Sequence, residues 1–268
     1  MKKVLCLAGF LILAAQLPLW GYDSSPSNLQ IIPEAIWAPA TGGGTWVTEL
    51  QILGRASTPP ADVLVYLAYN GGTTLPIQVT TDLAVYHCAR FSNILSTLDA
   101  LDSGSSVYYG RVGALWVWTM DQDSRIQVQG KTVNGNYGKT FPGLNAVEGN
   151  TAVMGRSLVL LDLVRNATYR TFVGVHNSGT SAFVRFMIIN ADNVQVGTFI
   201  DKTVPADGFI SFNPFTEAAA PAGDYENCYL TIDVLSGGGS GAWGVMCFGS
   251  IANNYTNDTY ALIARSWN

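Results

Sequence analysis

GNYGKTF, residues 135–141, ends in a Gly-Lys-Thr of the kind that holds nucleotide phosphates. A Walker A loop needs a glycine five residues before the glycine of that triplet, and it feeds a helix whose first amides hold the phosphate. Val133 stands five residues before Gly138, and Phe141-Pro142-Gly143 follows the triplet. The stretch therefore reads as a turn between strands, not as a nucleotide site. Acyl transfer is the next chemistry to weigh, and it needs a nucleophile beside a base. His87 and Cys88 are adjacent, but neighbours on a strand point to opposite faces, so they read as a strand with one buried thiol. GRSLV (155–159) lacks the second glycine of a nucleophile elbow. The second histidine, His176, lies in no nucleophile motif. Asp121 and Asp123 have the spacing of some calcium loops, yet no glycine and distal glutamate complete an EF-hand, so a polar turn is expected. No catalytic residue, metal or other cofactor is expected. A pair of carboxylates for glycoside cleavage is a matter of spatial separation, so a secreted hydrolase with an unrecognised site stays as a second alternative.

Two constellations remain. Cys228 and Cys247 fall on strands expected to be neighbours, each facing inward, and a disulfide between them suits an exported protein. Three cysteines follow the leader described below, so at least one thiol is left over. Trp116 and Trp118 alternate with Leu115 and Val117. If the aliphatic pair is buried, both indoles face outward. The next strand would bring Arg125, Gln127 and Gln129 to the same face, near the Tyr108-Tyr109 loop. Indoles beside amides and a guanidinium stack on sugar rings or anchor a protein partner. The alternative is that they pack against the second half of the chain or against that loop.

The elements that must position these residues come in two copies. TWVTELQIL (45–53) aligns with TYRTFVGVH (168–176), matching Trp46 to Tyr169, Thr48 to Thr171, Leu50 to Val173 and Ile52 to Val175. DVLVYLAY (62–69) then aligns with FVRFMIIN (183–190), GALWVWT (113–119) with CYLTIDV (228–234), and VNGNYGKTF (133–141) with IANNYTNDTY (251–260). The order is the same in both, giving copies over about 29–147 and 148–268. Turn residues punctuate short alternating runs, so each copy is expected to hold about eight strands, with a short helix at 92–101 and at 214–219. One buried and one wetter face per strand calls for two packed antiparallel sheets. The fold class expected is all-β: two tandem antiparallel β-sandwiches, immunoglobulin-like or jelly-roll-like, over 22–147 and 148–268.

Lys2 and Lys3, the apolar run Val4–Leu19 and the small residue Gly21 form the pattern of a secretory signal peptide over 1–21. The apolar run is short for a spanning helix, and no later segment qualifies, so no transmembrane segment is expected after cleavage. Loss of Lys2 and Lys3 takes the net charge from −5 to −7. No basic stripe offers itself to nucleic acid. The Asn-x-Thr sequons at Asn166, Asn254 and Asn257 are read as turns.

With its opening strand, the Gly-rich GGGTWVTEL with Trp-x-Thr-x-Leu, the long meander and the GKTVNGNYGKTFPGL hairpin, the chain resembles the paired β-sandwich repeats of uncharacterised secreted bacterial proteins. The resemblance covers nearly the whole mature chain. It implies an extracellular or cell-surface module and brings no catalytic residues. The function expected is an exported, non-enzymatic structural or adhesive module, secreted or at a bacterial surface, with the periplasm as the other location. Its partner would be a surface glycan or protein. A glycan-binding module using the aromatics of the first copy is the first alternative.

Overall fold

The computed structural model describes residues 25–40, 43–56, 61–103, 107–146, 150–240 and 243–267. The expected leader lies outside them. The first half supplies β1 (Leu29–Pro39), β2 (Thr45–Ala56), β3 (Ala61–Tyr69), β4 (Gly72–Thr73), β5 (Ile77–Leu83), β6 (Cys88–Phe91), α1 (Ile94–Leu101), β7 (Arg111–Thr119), β8 (Arg125–Asn134) and β9 (Tyr137–Pro142). The second supplies β10 (Ser157–Arg165), β11 (Tyr169–Asn177), β12 (Ala182–Ile189), β13 (Ile200–Val204), β14 (Phe209–Phe212), α2 (Pro214–Glu217), β15 (Tyr225–Ser236), β16 (Val245–Asn253), β17 (Thr259–Ile263) and β18 (Arg265–Trp267). The protein is all-β and antiparallel, with two short helices among the described residues.

In the first half, β5–β3–β7–β1 form sheet I, with β4 also beside β3, and β6–β2–β8–β9 form sheet II. The hairpin pairing Ala38 with Trp46 joins the two sheets at one corner. In the second half, β13–β12–β15–β10–β18 form sheet III and β14–β11–β16–β17 form sheet IV. Sheet III repeats the strand order of sheet I, and sheet IV repeats that of sheet II.

Alternation sets each core. Val63, Val65, Leu67, Leu115 and Val117 of sheet I point inward, where they join Leu50, Ile52, Ile126 and Val128 of sheet II in one apolar cluster. Leu158, Leu160, Phe186, Leu230 and Ile232 of sheet III meet Val173, Val175, Val245 and Cys247 of sheet IV in the same way. Burial of such side chains is worth roughly 1.5–3 kcal/mol each. A buried threonine ties the first two strands together in both halves. Thr48 Oγ1 accepts from Ile36 N at 2.8 Å and donates to Ile36 O at 3.2 Å. Thr171 Oγ1 accepts from Val164 N at 3.0 Å and donates to Val164 O at 2.8 Å. Both helices start on an asparagine cap: Asn93 accepts from Ser96 N, and Asn213 accepts from Phe215 N and Thr216 N.

One expected neighbour relation fails. β7 pairs with β1 and β3, while β8 pairs with β2 and β9. The Asp121–Asp123 turn therefore crosses from sheet I to sheet II and does not close a hairpin. Asp121 Oδ1 accepts the Asp123 amide at 2.8 Å, which shapes that turn. The same crossing separates β15 in sheet III from β16 in sheet IV. Cys228 and Cys247 thus lie on facing sheets of one core, and both are free, buried thiols. This corrects the expected disulfide. Burial pushes both thiols up in pKa, with Arg165 pulling the other way at Cys228. Cys88 opens β6 and is exposed, which corrects the expectation of a buried thiol there.

Candidate functional site

The residues singled out on β7 lead to the seam between the two halves. Leu115 and Val117 face the core, so Trp116 and Trp118 project from the outer face of sheet I. Register sets Trp116 between Ile31 on β1 and Tyr66 on β3. Tyr66 stacks on one face of the indole, with centroids 5.2 Å apart and planes 20° apart. Trp243 of the second half stacks on the indole at 5.6 Å and 7°. His176, from β11, meets it edge-on at 5.4 Å. Trp116 is consequently only 6% exposed.

His176 fixes the geometry. Its Nε2 accepts the Trp116 indole N–H at 2.8 Å, so Nδ1 carries the ring proton and donates to Gly208 O at 2.9 Å. Both ring nitrogens are committed, and neither can serve as a base. Burial pushes the imidazole down to about 4, against a smaller upward pull from the Gly208 carbonyl. Burial also raises the Tyr66 phenol, with the charge of Asp207 adding to it.

Farther along the seam, Phe209, Met246 and Phe248 project from the outer face of sheet IV into the apolar cluster of the first half. Phe248 meets Phe141 edge-on at 5.5 Å and Phe209 face-on at 6.1 Å. Gly174 leaves the space for this ring, since a Cβ there would lie 2.0 Å from Phe248 Cζ. Lys139, the lysine of GNYGKTF, points into the same seam. Its Nζ sits 2.7 Å from Glu34 Oε1, both side chains nearly sealed from solvent, and it also bonds to Ser250 Oγ of the second half. The turn before it pairs Asn134 with Tyr137 around Gly135, which has φ +60°.

The other residues expected beside Trp116 are dispersed. Trp118 is half-buried and lies edge-on to Tyr66 at 5.4 Å. Arg125 turns back to donate to the carbonyls of Gln122 and Ser124. Gln127 is exposed on the outer face of sheet II, a different sheet from the indoles. Tyr108 is fully buried, whereas Tyr109 is exposed and packs edge-on to Trp37 at 5.1 Å. The expected shared face of Trp116, Trp118, Arg125 and Gln127 does not form, because β7 and β8 belong to different sheets.

Among the described residues, no three His, Cys, Asp or Glu side chains converge as metal ligands would, and no helix is long and apolar enough to cross a membrane. Two sequon amides are engaged in packing turns together: Asn166 Nδ2 donates to Glu226, and Asn254 Nδ2 donates to the Asn166 and Ala167 carbonyls. Tyr66 and Trp243 escaped the sequence reading, which weighed His176 only as a base and not as a packing partner. His176 replaces Leu53 in the alignment, a change from apolar to polar that marks an altered environment. Nothing in the glycine-rich run before Trp243 signals its position.

No family model matches the chain, and no curated protein matches it. Among solved structures, it is similar at 12% identity to the infectious bursal disease virus VP2 subviral particle, over 91% of this chain and 68% of that one, with a TM-score of 0.20. The structure of the infectious bursal disease virus Gt strain gives 11%, 91%, 71% and 0.20 for the same quantities. Likenesses at that TM-score carry no argument about this chain.

Proposed function

We propose that the protein is an exported, non-enzymatic structural or adhesive module at a bacterial cell surface, with its two sandwiches working as one stiff block. The observation that supports this is the seam. Phe209, Met246 and Phe248 of the second half sit in the same apolar cluster as the first half's core, and Lys139 is held by groups from both halves. Two domains on a mobile linker would share a smaller and more polar contact. A stiff block suits a load-bearing or spacing role, and the committed nitrogens of His176 leave it no part in acid–base chemistry.

Protease shaving of intact cells, followed by mass mapping, tests the reading. The chain should be released from the cell surface and should lack residues 1–21. Recovery only from the cytoplasm, or turnover of ester, peptide or glycoside substrates by the purified protein, would replace it.

A further inference from the structure

Among the described residues nothing covers the outer face of sheet II, and most of its side chains there are amides and cations. Arg90 on β6, Gln51 on β2, Gln129 on β8 and Pro142 on β9 form a single row across four strands. Leu53 lies between Cys88 and Gln127 in the next row. These residues line a cleft of about 380 Å³, within the roughly 300–1,000 Å³ usual for ligand sites. No hydrogen bond or ion pair engages the side chains of Arg90, Gln51, Gln127 or Gln129 among the described residues, and all four are exposed.

Charge sets this face apart from the rest of the molecule. Its strands turn outward Arg55, Arg90 and Lys131 against Glu49 alone, on a chain of net charge −5. We propose that it binds a carboxylated oligosaccharide laid across the strands. Amide side chains both donate and accept, as sugar hydroxyls do. Strands ~4.8 Å apart present successive amides at close to the rise of one sugar residue in an extended glycan. The free guanidinium of Arg90 closes the row with a fork that fits a carboxylate through two parallel hydrogen bonds. The buried Trp116 takes no part. The inference rests on the adhesive reading only for where the glycan is met, and binding in solution tests the site without regard to location.

The test is calorimetric titration of the exported chain, as recovered from cells, with tetragalacturonate, cellotetraose and tetraglutamate. Tetragalacturonate should bind, and cellotetraose should bind at least tenfold more weakly. Arg90→Ala should weaken the acidic sugar at least tenfold, Arg90→Lys less, and Gln129→Ala about threefold, each with an unchanged melting temperature because these side chains are exposed. Trp243→Ala should bind like the wild type. The proposal is overturned if the wild type ignores tetragalacturonate or if Arg90→Ala binds it fully. It is equally overturned if tetraglutamate binds as well as the sugar, which would make the face a dock for acidic peptides.

Discussion

Sheets II and IV have the same strand order and the same register, yet among the described residues one outer face is covered and the other is open. Pairing carries Gln51 onto Gly174, Leu53 onto His176, Cys88 onto Phe209, Gln127 onto Met246, Gln129 onto Phe248 and Lys131 onto Ser250. On sheet IV this set is glycine, aromatic and apolar residues with one serine, and it packs on the first half. On sheet II it is mostly amide and cation, and it meets solvent. The backbone does not decide which face docks. Side chains at matched positions do, since covering the amides and charges of sheet II would require a partner for each one.

The sharpest way to break this contrast is to truncate one matched pair. Phe248→Ala should cost about 4 kcal/mol in chemical denaturation, as expected for an aromatic removed from a packed interior. Gln129→Ala, its counterpart, should stay within about 0.5 kcal/mol. Equal effects would mean that the seam contributes little to stability.

A smaller effect is expected at the buried pair. Lys139→Met leaves Glu34 without a partner and should destabilise by about 3 kcal/mol, a loss that Glu34→Gln in the same chain partly restores. Lys131→Met, on the open face, should change almost nothing. If the double variant is no more stable than Lys139→Met, Glu34 is not the group left stranded.

The smallest effect depends on pH. The folded state holds His176 near 4 against an ordinary value of 6.5, so the neutral ring favours folding. Its contribution is complete above pH 6.5 and is lost as pH falls toward 4, amounting to about 2 kcal/mol by pH 5. His176→Leu, which installs the residue found at position 53, should flatten stability between pH 6.5 and 5 while lowering it at pH 7, because the Trp116 N–H loses its acceptor. An unchanged pH slope would place the titrating group elsewhere.

Much of this was readable in the residues. Alternation in LWVW gave the facing of both indoles, and the Thr48–Thr171 match marked two threonines with identical bonding. Strand neighbours were not readable. A run of residues records which side of a strand is apolar, but not which strand lies beside it. The turn at 120–124 crosses between sheets as readily as it would close a hairpin. That one ambiguity produced both the Cys228–Cys247 expectation and the grouping of Trp116 with Gln127. The seam was legible at one point, since the alternative reading of Trp116 had it pack against the second half, as it does on His176 and Trp243; its other aromatics come from β3, β9, β14 and β16, and only the packing of the halves brings them together.

Among the described residues of the first half, β18 has no counterpart strand. It lies along β10, pairing Ser157–Val159 with Arg265–Trp267. The matching flank of β1 is closed by a single bridge from Ile31 to Leu144. Each half thus blunts the border where a foreign strand would add on, one with three residues and the other with one. At 265–267 three residues thus take up backbone groups of β10 that would otherwise lie open to an added strand.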